Sequence, residues 1–420
     1  MFILYDILYL ALFIFYCPIL FVRRKLHGGY GMRFGNIPEA TVDRLKSKKN
    51  IWLHAVSVGE VLAMTDFIKQ LKARYPRYQI VCTSVTKTGY ALANQRLSGD
   101  CVVLYAPMDL SWVVGKFIRL IRPKVYIAAE TEIWPNLYRA LHRNNVAIIQ
   151  VNGRISERSF RGYQRIKNII RRILAKVDLF CVQSELDYER LIEIGAPKEK
   201  VHITGNIKFD NLLSNNRLEK TALGFSKDDL IVIAGSTHPR EEEIVLNAFK
   251  KLQNEFGPLK LIISPRHIER SQEVAQLVAT HGFKPLLYSA LNSKAVSEKE
   301  IVVVDQIGIL KNLYSIATVV FVGKSLAVGG GQNMIEPAFY GKPTIIGPLT
   351  YNFKDVVRIF LNEKAIVQIQ RADELYGKMR ELLEDQNKRQ NIGANAKKVV
   401  EKYQGAGLRT LELVSPFFKE

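Results

Sequence analysis

Two acidic residues stand where the sequence predicts that buried strands end. Glu60 follows the apolar run 51–56 and a Ser-Val-Gly turn, and Glu130 follows the apolar run 124–129. A partly buried carboxylate at such a place can act as a general base, with a pKa set by burial and by neighbouring charges. An acid in the first turn of a helix also stabilises the helix dipole, so both interpretations of Glu60 stay open. Glu132, two residues after Glu130, is open in the same way.

A second group of residues, in the C-terminal half, has the chemistry of a nucleotide site. Gly329-Gly330-Gly331 precedes a helix predicted to start near Gln332, and backbone N–H groups at a glycine-rich helix start bind phosphate. Asn333 and Glu336 share the first turn of this predicted helix, and Glu336 is placed like an acid that binds ribose hydroxyls. Arg266 can pair with a phosphate through two hydrogen bonds. The turn matches neither a Walker loop nor G-x-G-x-x-G, so a plain tight turn remains the alternative.

The elements that position these residues alternate regularly along the chain. Short β-branched runs are separated by amphipathic stretches of helical length, which is the pattern of parallel sheets covered by helices on both faces. We predict an α/β fold with two Rossmann-like domains, whose ligands bind at the carboxyl ends of the strands in a cleft between the domains. The predicted divisions are a membrane anchor at 1–22, a first domain at 23–208, a linker at 209–228, a second domain at 229–400, and a C-terminal helix at 401–420 that returns to the first domain.

The first 22 residues are apolar over about the length that crosses a bilayer. Asp6 is the one charge among them, and Arg23-Arg24-Lys25 follows at once. No small-residue cleavage site is visible, so the segment predicts an uncleaved anchor in the inner (cytoplasmic) membrane, with both domains facing the cytoplasm. Asp6 and Pro18 weaken this interpretation, and a helix lying in one leaflet or a soluble helix are the alternatives.

The net charge of +20 indicates an anionic partner. Two runs concentrate the basic residues, 23–49 and 158–176, and the second has no acid. A solvated helix face explains either run alone, but both together beside an apolar start favour an anionic membrane surface. The residues predicted to bind such a surface are Arg161, Arg165, Arg171 and Arg172.

Other partner classes are disfavoured. The chain contains no module of clustered basic and aromatic residues, so nucleic acid is not expected to bind. Four cysteines without a C-x-x-C pair, and His238 and His267 without a third ligand at metal spacing, predict neither a metal site nor a disulfide framework.

Several motifs in order along the chain resemble one family, the Kdo transferases. These enzymes add 3-deoxy-D-manno-oct-2-ulosonic acid (Kdo) to the lipid A precursor of lipopolysaccharide. The matching stretches are LHAVSVGE (53–60), ETEIWPNL (130–137), NGRIS (152–156), ITGNIKFD (203–210), AGSTHPREEE (234–243), SPRHIER (264–270), GGGQNMIEP (329–337), and GP with YNFKD (347–355).

The resemblance implies a GT-B glycosyltransferase that needs no metal or other cofactor. CMP-Kdo is the implied donor, bound by the second domain, and the first domain binds the lipid acceptor. Glu60 matches the family's proposed general base and Glu130 a second essential acid. The predicted donor-binding residues are Ser236, Arg266, His267, Gly308, Gly330, Gly331, Asn333 and Glu336.

Two departures from the family pattern are visible. The family usually has His where this chain has Gln332, so a charged role for that position is in doubt. It also tends to have a second glycine where this chain has Lys324, which either adds a cation near the phosphate or faces solvent. The expected reaction is direct displacement at C2 of Kdo, completed by domain closure. The rival interpretation is another GT-B enzyme that uses a UDP-sugar, either a transferase or an epimerase.

Overall fold

The computed structural model describes residues 2–22, 29–46, 49–210, 217–291 and 295–418. Two compact units are present: Met1–Asn211 with Gln404–Glu420, and Leu212–Tyr403. They are called the N-unit and the C-unit below. Arg23, Arg24 and Lys25, on which the orientation of the predicted anchor depends, lie outside the described residues, as does part of the predicted linker (211–216).

A parallel sheet forms the centre of the N-unit. Its strands are β1 (Lys49–His54), β2 (Tyr78–Ser84), β3 (Cys101–Tyr105), β4 (Pro123–Ala129), β5 (Ala147–Gly153), β6 (Leu179–Val182) and β7 (Val201–Ile203). They lie in the order β3-β2-β1-β4-β5-β6-β7. The chain changes direction of travel across the sheet between β1 and β4, and the carboxyl ends at such a switch point form a crevice. Glu60 and Glu130 follow these two strands.

Helices cover both faces of this sheet, which explains why its strands are apolar on both sides. The side chains of Trp52 and Tyr126, on neighbouring strands, are completely buried. The helices are α1 (Phe2–Val22), α2 (Tyr30–Arg33), α3 (Glu39–Lys46), α4 (Val58–Arg74), α5 (Lys87–Leu97), α6 (Ser111–Ile121), α7 (Pro135–Arg143), α8 (Glu157–Arg165), α9 (Lys167–Leu174) and α10 (Glu185–Glu193).

Helix α1 contacts the N-unit through one face. The hydroxyl of Tyr5 donates to Asp109 over 3.0 Å, and the Asp6 carboxylate accepts from the Ser111 amide over 3.1 Å and from the Asn136 side chain over 2.6 Å. Apolar side chains on its other positions are exposed, including Ile7, Leu8, Leu12, Ile14 and Phe15. Judged on the residues that the structure describes, no helix combines the length and the apolar character needed to cross a membrane, and the predicted anchor is not confirmed.

The C-unit repeats the parallel architecture, as the sequence predicted. Its strands are β8 (Leu230–Thr237), β9 (Leu259–Pro265), β10 (Lys284–Leu287), β11 (Glu300–Val303), β12 (Val319–Val322), β13 (Thr344–Ile346) and β14 (Val367–Gln368). The order β10-β11-β9-β8-β12-β13-β14 places the switch point between β8 and β12. Its helices are α11 (Glu241–Gln253), α12 (Ser271–Thr280), α13 (Leu310–Leu313), α14 (Ile335–Phe339), α15 (Lys354–Asn362), α16 (Glu374–Glu384) and α17 (Gln386–Tyr403).

The last helix, α18 (Ala406–Val414), belongs to the N-unit. The carboxylate of Asp210 accepts hydrogen bonds from the amides of Gly405 and Gly407, just where this helix begins. An acid at that point satisfies N–H groups that have no partner inside the helix. Leu411 and Val414 then pack into the core beneath the first sheet.

Candidate active site

Glu60 is the third residue of α4 and lies at the carboxyl end of β1. Its carboxylate folds back onto the turn, where it accepts from the Val56 amide over 2.7 Å and from the Ser57 hydroxyl over 2.8 Å. The side chain is buried, with 8% of the residue exposed. These bonds fit an acid that stabilises a helix start, and the burial fits an acid whose proton affinity has been raised for chemistry.

Glu130 follows β4 in a left-handed backbone conformation, with φ of +57°. Non-glycine residues adopt this conformation at an energetic cost, and such residues cluster at functional sites. Its amide donates to the Val151 carbonyl over 2.9 Å, and its carboxylate lies 3.4 Å from the Lys208 ammonium. Both side chains of this ion pair are largely buried.

The acids at this edge interact electrostatically. The pKa of Glu60 is raised to about 7, chiefly by burial and next by the charge of Glu130, against the lowering effect of the Val56 and Ser57 bonds and of Lys208. Burial also raises the pKa of Glu132 to about 7, again with help from Glu60 and Glu130. Carboxylates coupled in this way share their titration, and one of them is held near the pKa at which a general base works best at neutral pH.

Lys208 was not singled out by sequence reasoning, although it lies in the ITGNIKFD stretch. A buried polar network fixes the backbone before it. The Asn206 side chain accepts from the Lys208 amide over 3.0 Å and donates to Gln183 over 2.9 Å. The Ile207 amide donates to Asn152, whose φ of +55° is also left-handed. Asn206 and Lys208 follow β7 at a spacing of two, and this pattern was the signal from which Lys208 could have been predicted.

In the C-unit, the loops that follow β8 and β12 are joined by one buried carboxylate. Glu241 accepts four backbone N–H groups over 2.7–3.0 Å. Their donors are His238, Lys324, Ser325 and Leu326. Gly323 permits this approach, because a Cβ there would lie 2.6 Å from the Ser236 carbonyl oxygen. Ser236 itself has φ of +54°, so the predicted site residue sits on strained backbone.

The glycine turn differs from the predicted phosphate cradle. The Gly330 amide donates to the Leu349 carbonyl over 2.8 Å, and the Gly331 amide donates to the Lys324 carbonyl over 2.7 Å. Helix α14 begins at Ile335, so the prediction of a helix start near Gln332 was wrong. The physical reason is that the left-handed Gly330 and Gly331 pair with neighbouring loops before the chain can turn into a helix. Two of the amides expected to bind phosphate therefore already have acceptors.

Asn333 and Glu336 lie together, as their spacing predicted. The Asn333 amide donates to the Glu336 carboxylate over 3.0 Å, and its oxygen accepts from the Ile335 amide, which fixes both side chains at the start of α14. Burial raises the pKa of Glu336, while the Asn333 bond and the charges of Lys311 and Arg266 lower it. A hydrogen-bonded carboxylate at this place is suited to binding sugar hydroxyls.

Basic and imidazole side chains gather around His238. Its ring stands edge-on to that of His267, with centroids 5.7 Å apart. The pKa of His238 is lowered to about 4, chiefly by burial and then by the charges of Lys324, His267, Arg270 and Arg266. A buried neutral imidazole with cations around it, at the carboxyl end of the central strand β8, is the environment of an anion-binding site.

Among the described residues, the remaining predicted ones form no hydrogen bond or ion pair with these clusters. Gly308 occupies an open turn after β11, with φ of +87° and no atom near its Cβ position. Arg161, Arg165, Arg171 and Arg172 are exposed on α8 and α9. Within the described residues, no group of three or more His, Cys, Asp or Glu side chains is arranged to hold a metal ion.

Known proteins match both halves of the chain. Residues 29–211 match the family described as 3-deoxy-D-manno-octulosonic-acid transferase, and residues 220–399 match the family of group 1 glycosyl transferases. The structure of Acinetobacter baumannii MurG has a TM-score of 0.56 at 12% identity, with 88% of this chain and 99% of that one covered. At that identity the likeness shows the fold alone, which is consistent with GT-B.

Two curated relatives extend over most of the chain. The 3-deoxy-D-manno-octulosonic acid transferase of Haemophilus influenzae is 32% identical over 94% of this chain and 92% of its own length. A bifunctional glycosyltransferase/methyltransferase of Fusobacterium nucleatum is 35% identical over 83% of this chain, which spans 55% of that longer protein. The chain therefore belongs to the 3-deoxy-D-manno-octulosonic acid transferase family and is a glycosyltransferase.

Proposed function

We propose that this chain transfers Kdo from CMP-Kdo to a lipid A precursor, with Glu60 as the general base. The observation that carries the proposal is the buried Glu60 carboxylate at the switch point of the first sheet, where burial raises its pKa to about 7. Glu60 takes the proton of an acceptor hydroxyl as that oxygen attacks C2 of Kdo. The bond from C2 to the phosphate oxygen breaks at the same time, and its electron pair leaves with CMP.

The C-unit supplies groups suited to the donor. In this proposal Asn333 and Glu336 bind ribose hydroxyls and Arg266 binds the phosphate; the hydrogen bond between Asn333 and Glu336 supports the first assignment. Charge grows on that phosphate as the bond breaks, and fixed cations nearby lower the barrier. We propose that these cations make transfer metal-independent, so that the rate in EDTA equals the rate with added Mg²⁺.

Calorimetric titration with CMP and with UDP tests the donor. A preference for CMP supports the proposal. A clear preference for UDP contradicts it and favours a transferase or epimerase that uses a UDP-sugar.

The pH dependence of kcat/KM reports the carboxylate cluster. Because the base must be deprotonated, kcat/KM should fall about tenfold per unit of pH below a midpoint near the pKa of about 7. The charge of Lys208 lowers the pKa of Glu60, so Lys208→Met should move this midpoint to higher pH. The exposed Lys198→Met is the control and should leave the profile unchanged. A midpoint that stays in place in Lys208→Met contradicts the coupling.

We propose further that the protein works at the cytoplasmic face of the inner membrane. Support comes from the four exposed arginines of α8 and α9 and from the exposed apolar side chains of α1. An anionic leaflet attracts such cations with about 1 kcal/mol for each well-placed residue. The acceptor, a phosphorylated lipid, resides in such a surface.

Replacing the four arginines with serine should weaken binding to phosphatidylglycerol vesicles by roughly 10²–10³-fold, because four attractions are lost together. CMP binding should change little. The matched control replaces four exposed cations of the C-unit with serine, namely Arg358, Arg371, Lys397 and Lys402. Vesicle sedimentation measures the effect. Equal losses in the two variants, or an equal loss of CMP binding, contradict the assignment.

A further inference from the structure

Lys324 occupies a backbone conformation that disfavours every residue with a side chain. Its φ is +56°, in the region where glycine is preferred. The conformation is imposed from both sides: the Lys324 amide donates to Glu241 over 2.7 Å, and its carbonyl accepts from the Gly331 amide over 2.7 Å. Glycine would meet these constraints without strain. A lysine held in this way points to a use for its side chain.

That side chain lies over the glycine turn. Its Cε is 3.3 Å from the position that a Cβ on Gly330 would take, and the Asn352 amide nitrogen is 2.7 Å from the same point. Lys324 is half-buried. Within the described residues, no hydrogen bond or ion pair of its ammonium group is present. A partly desolvated ammonium without an acid attracts an anion from solution.

Arg266 is a second cation that forms no ion pair in the described part of the chain, although its charge acts on Glu336. Arg270, by contrast, pairs with Glu242 and Glu273, each over 2.8 Å. Arg266 follows β9, His238 follows β8, and Lys324 follows β12. These three strands are neighbours in the sheet. These two cations, which form no ion pair among the described residues, therefore flank His238 at the switch point between β8 and β12. The Nε2 atom of His238 is buried and has no partner.

The glycine turn cannot supply all the donors that an anion needs here, because the Gly330 and Gly331 amides are already bonded to carbonyl groups. Side chains must do more of the binding. We propose that Lys324 binds an anionic oxygen of the donor, either its phosphate or its sugar carboxylate, in a subsite that Arg266 and His238 complete. His238 donates to that oxygen in the tautomer that carries the proton on Nε2. The ligand identity rests on the proposed function.

Three variants of Lys324 separate charge from backbone strain. Lys324→Met should raise the Kd for CMP-Kdo, which carries both anionic groups, about tenfold. Lys324→Arg should bind CMP-Kdo within about threefold of the wild type because the charge is kept. Lys324→Gly should lose the same affinity and yet raise the Tm, since strain is relieved. The control is Lys364→Gly, because Lys364 is an exposed lysine with φ of +51°. It should raise the Tm without changing the Kd.

Titrations with cytidine, CMP and CMP-Kdo identify whether Lys324 binds the phosphate or the sugar carboxylate of the donor. If Lys324 meets the phosphate, Lys324→Met loses affinity for CMP but not for cytidine. If it meets the carboxylate, the loss appears with CMP-Kdo and not with CMP. Wild-type affinity of Lys324→Met for both CMP and CMP-Kdo overturns the inference. If the wild type prefers UDP, the proposed donor fails separately, and the same comparison of UDP with uridine decides the subsite. A wild type that binds no nucleotide contradicts both.

Discussion

Glu60→Gln is expected to abolish Kdo transfer, with kcat reduced roughly 10²–10⁴-fold or more, while the fold and CMP binding persist. Glutamine keeps the shape of the side chain. Its oxygen can still accept from the Val56 amide, and its nitrogen can donate to the Ser57 hydroxyl, so the turn retains both bonds. It cannot take a proton from the acceptor. Single-turnover assays with CMP-Kdo and lipid A precursor, beside titration with CMP, measure the two effects separately.

A helix-start role makes a different prediction for the same residue. Glu185 is an exposed acid in the first turn of α10 in the same unit, and Glu185→Gln removes a comparable interaction with a helix dipole. Its transfer rate should equal that of the wild type, with a small change in Tm. If Glu60→Gln also transfers at nearly the wild-type rate, Glu60 only stabilises the start of α4. Glu130 then becomes the better candidate for the base.

Glu241→Gln is expected to cost roughly 2–6 kcal/mol of the free energy of unfolding and to weaken CMP binding. The amide nitrogen of glutamine would face two of the four N–H groups that now bond to the carboxylate, and each buried donor left without an acceptor is costly. The loops after β8 and β12 would lose their common anchor. Urea unfolding and calorimetric titration with CMP measure the two losses.

Glu243→Gln is the matched control for Glu241, because Glu243 lies two residues further along α11 and is exposed. It should change neither stability nor CMP binding by a measurable amount. Should Glu241→Gln unfold at the wild-type urea concentration and bind CMP normally, the four bonds do not hold the loops in place.

The sequence predicted those features of this molecule that depend on residues close together along the chain. Continuous apolar runs indicated buried parallel strands, and strand ends indicated where ligands bind. Glu60 and Glu130 were named as candidates in this way, and the structure couples them electrostatically. Their catalytic roles stay predictions. Asn333 and Glu336 were found from a spacing of three, which one turn of helix brings together.

The residues that reasoning from sequence missed act through contacts between distant segments. Lys208 meets Glu130 across 78 positions of sequence, and Glu241 bonds to amides more than 80 positions away. The periodicity of apolar residues along the sequence does not indicate which distant segments come into contact. The prediction of a helix start near Gln332 was wrong for the same reason, because the acceptors of the Gly330 and Gly331 amides lie in other loops. The side chains of α1 that bond to the N-unit, Tyr5 and Asp6, likewise find partners that the apolar run does not reveal.

Incubation of the purified protein with CMP-Kdo and lipid A precursor, with products read by mass spectrometry, tests the central claim most directly. Wild-type protein should yield lipid A precursor heavier by one or more Kdo residues, together with free CMP, and EDTA should not reduce the yield. Glu60→Gln should yield neither product above background. An unmodified acceptor with the wild type, or transfer only when a UDP-sugar replaces CMP-Kdo, would contradict the proposed reaction.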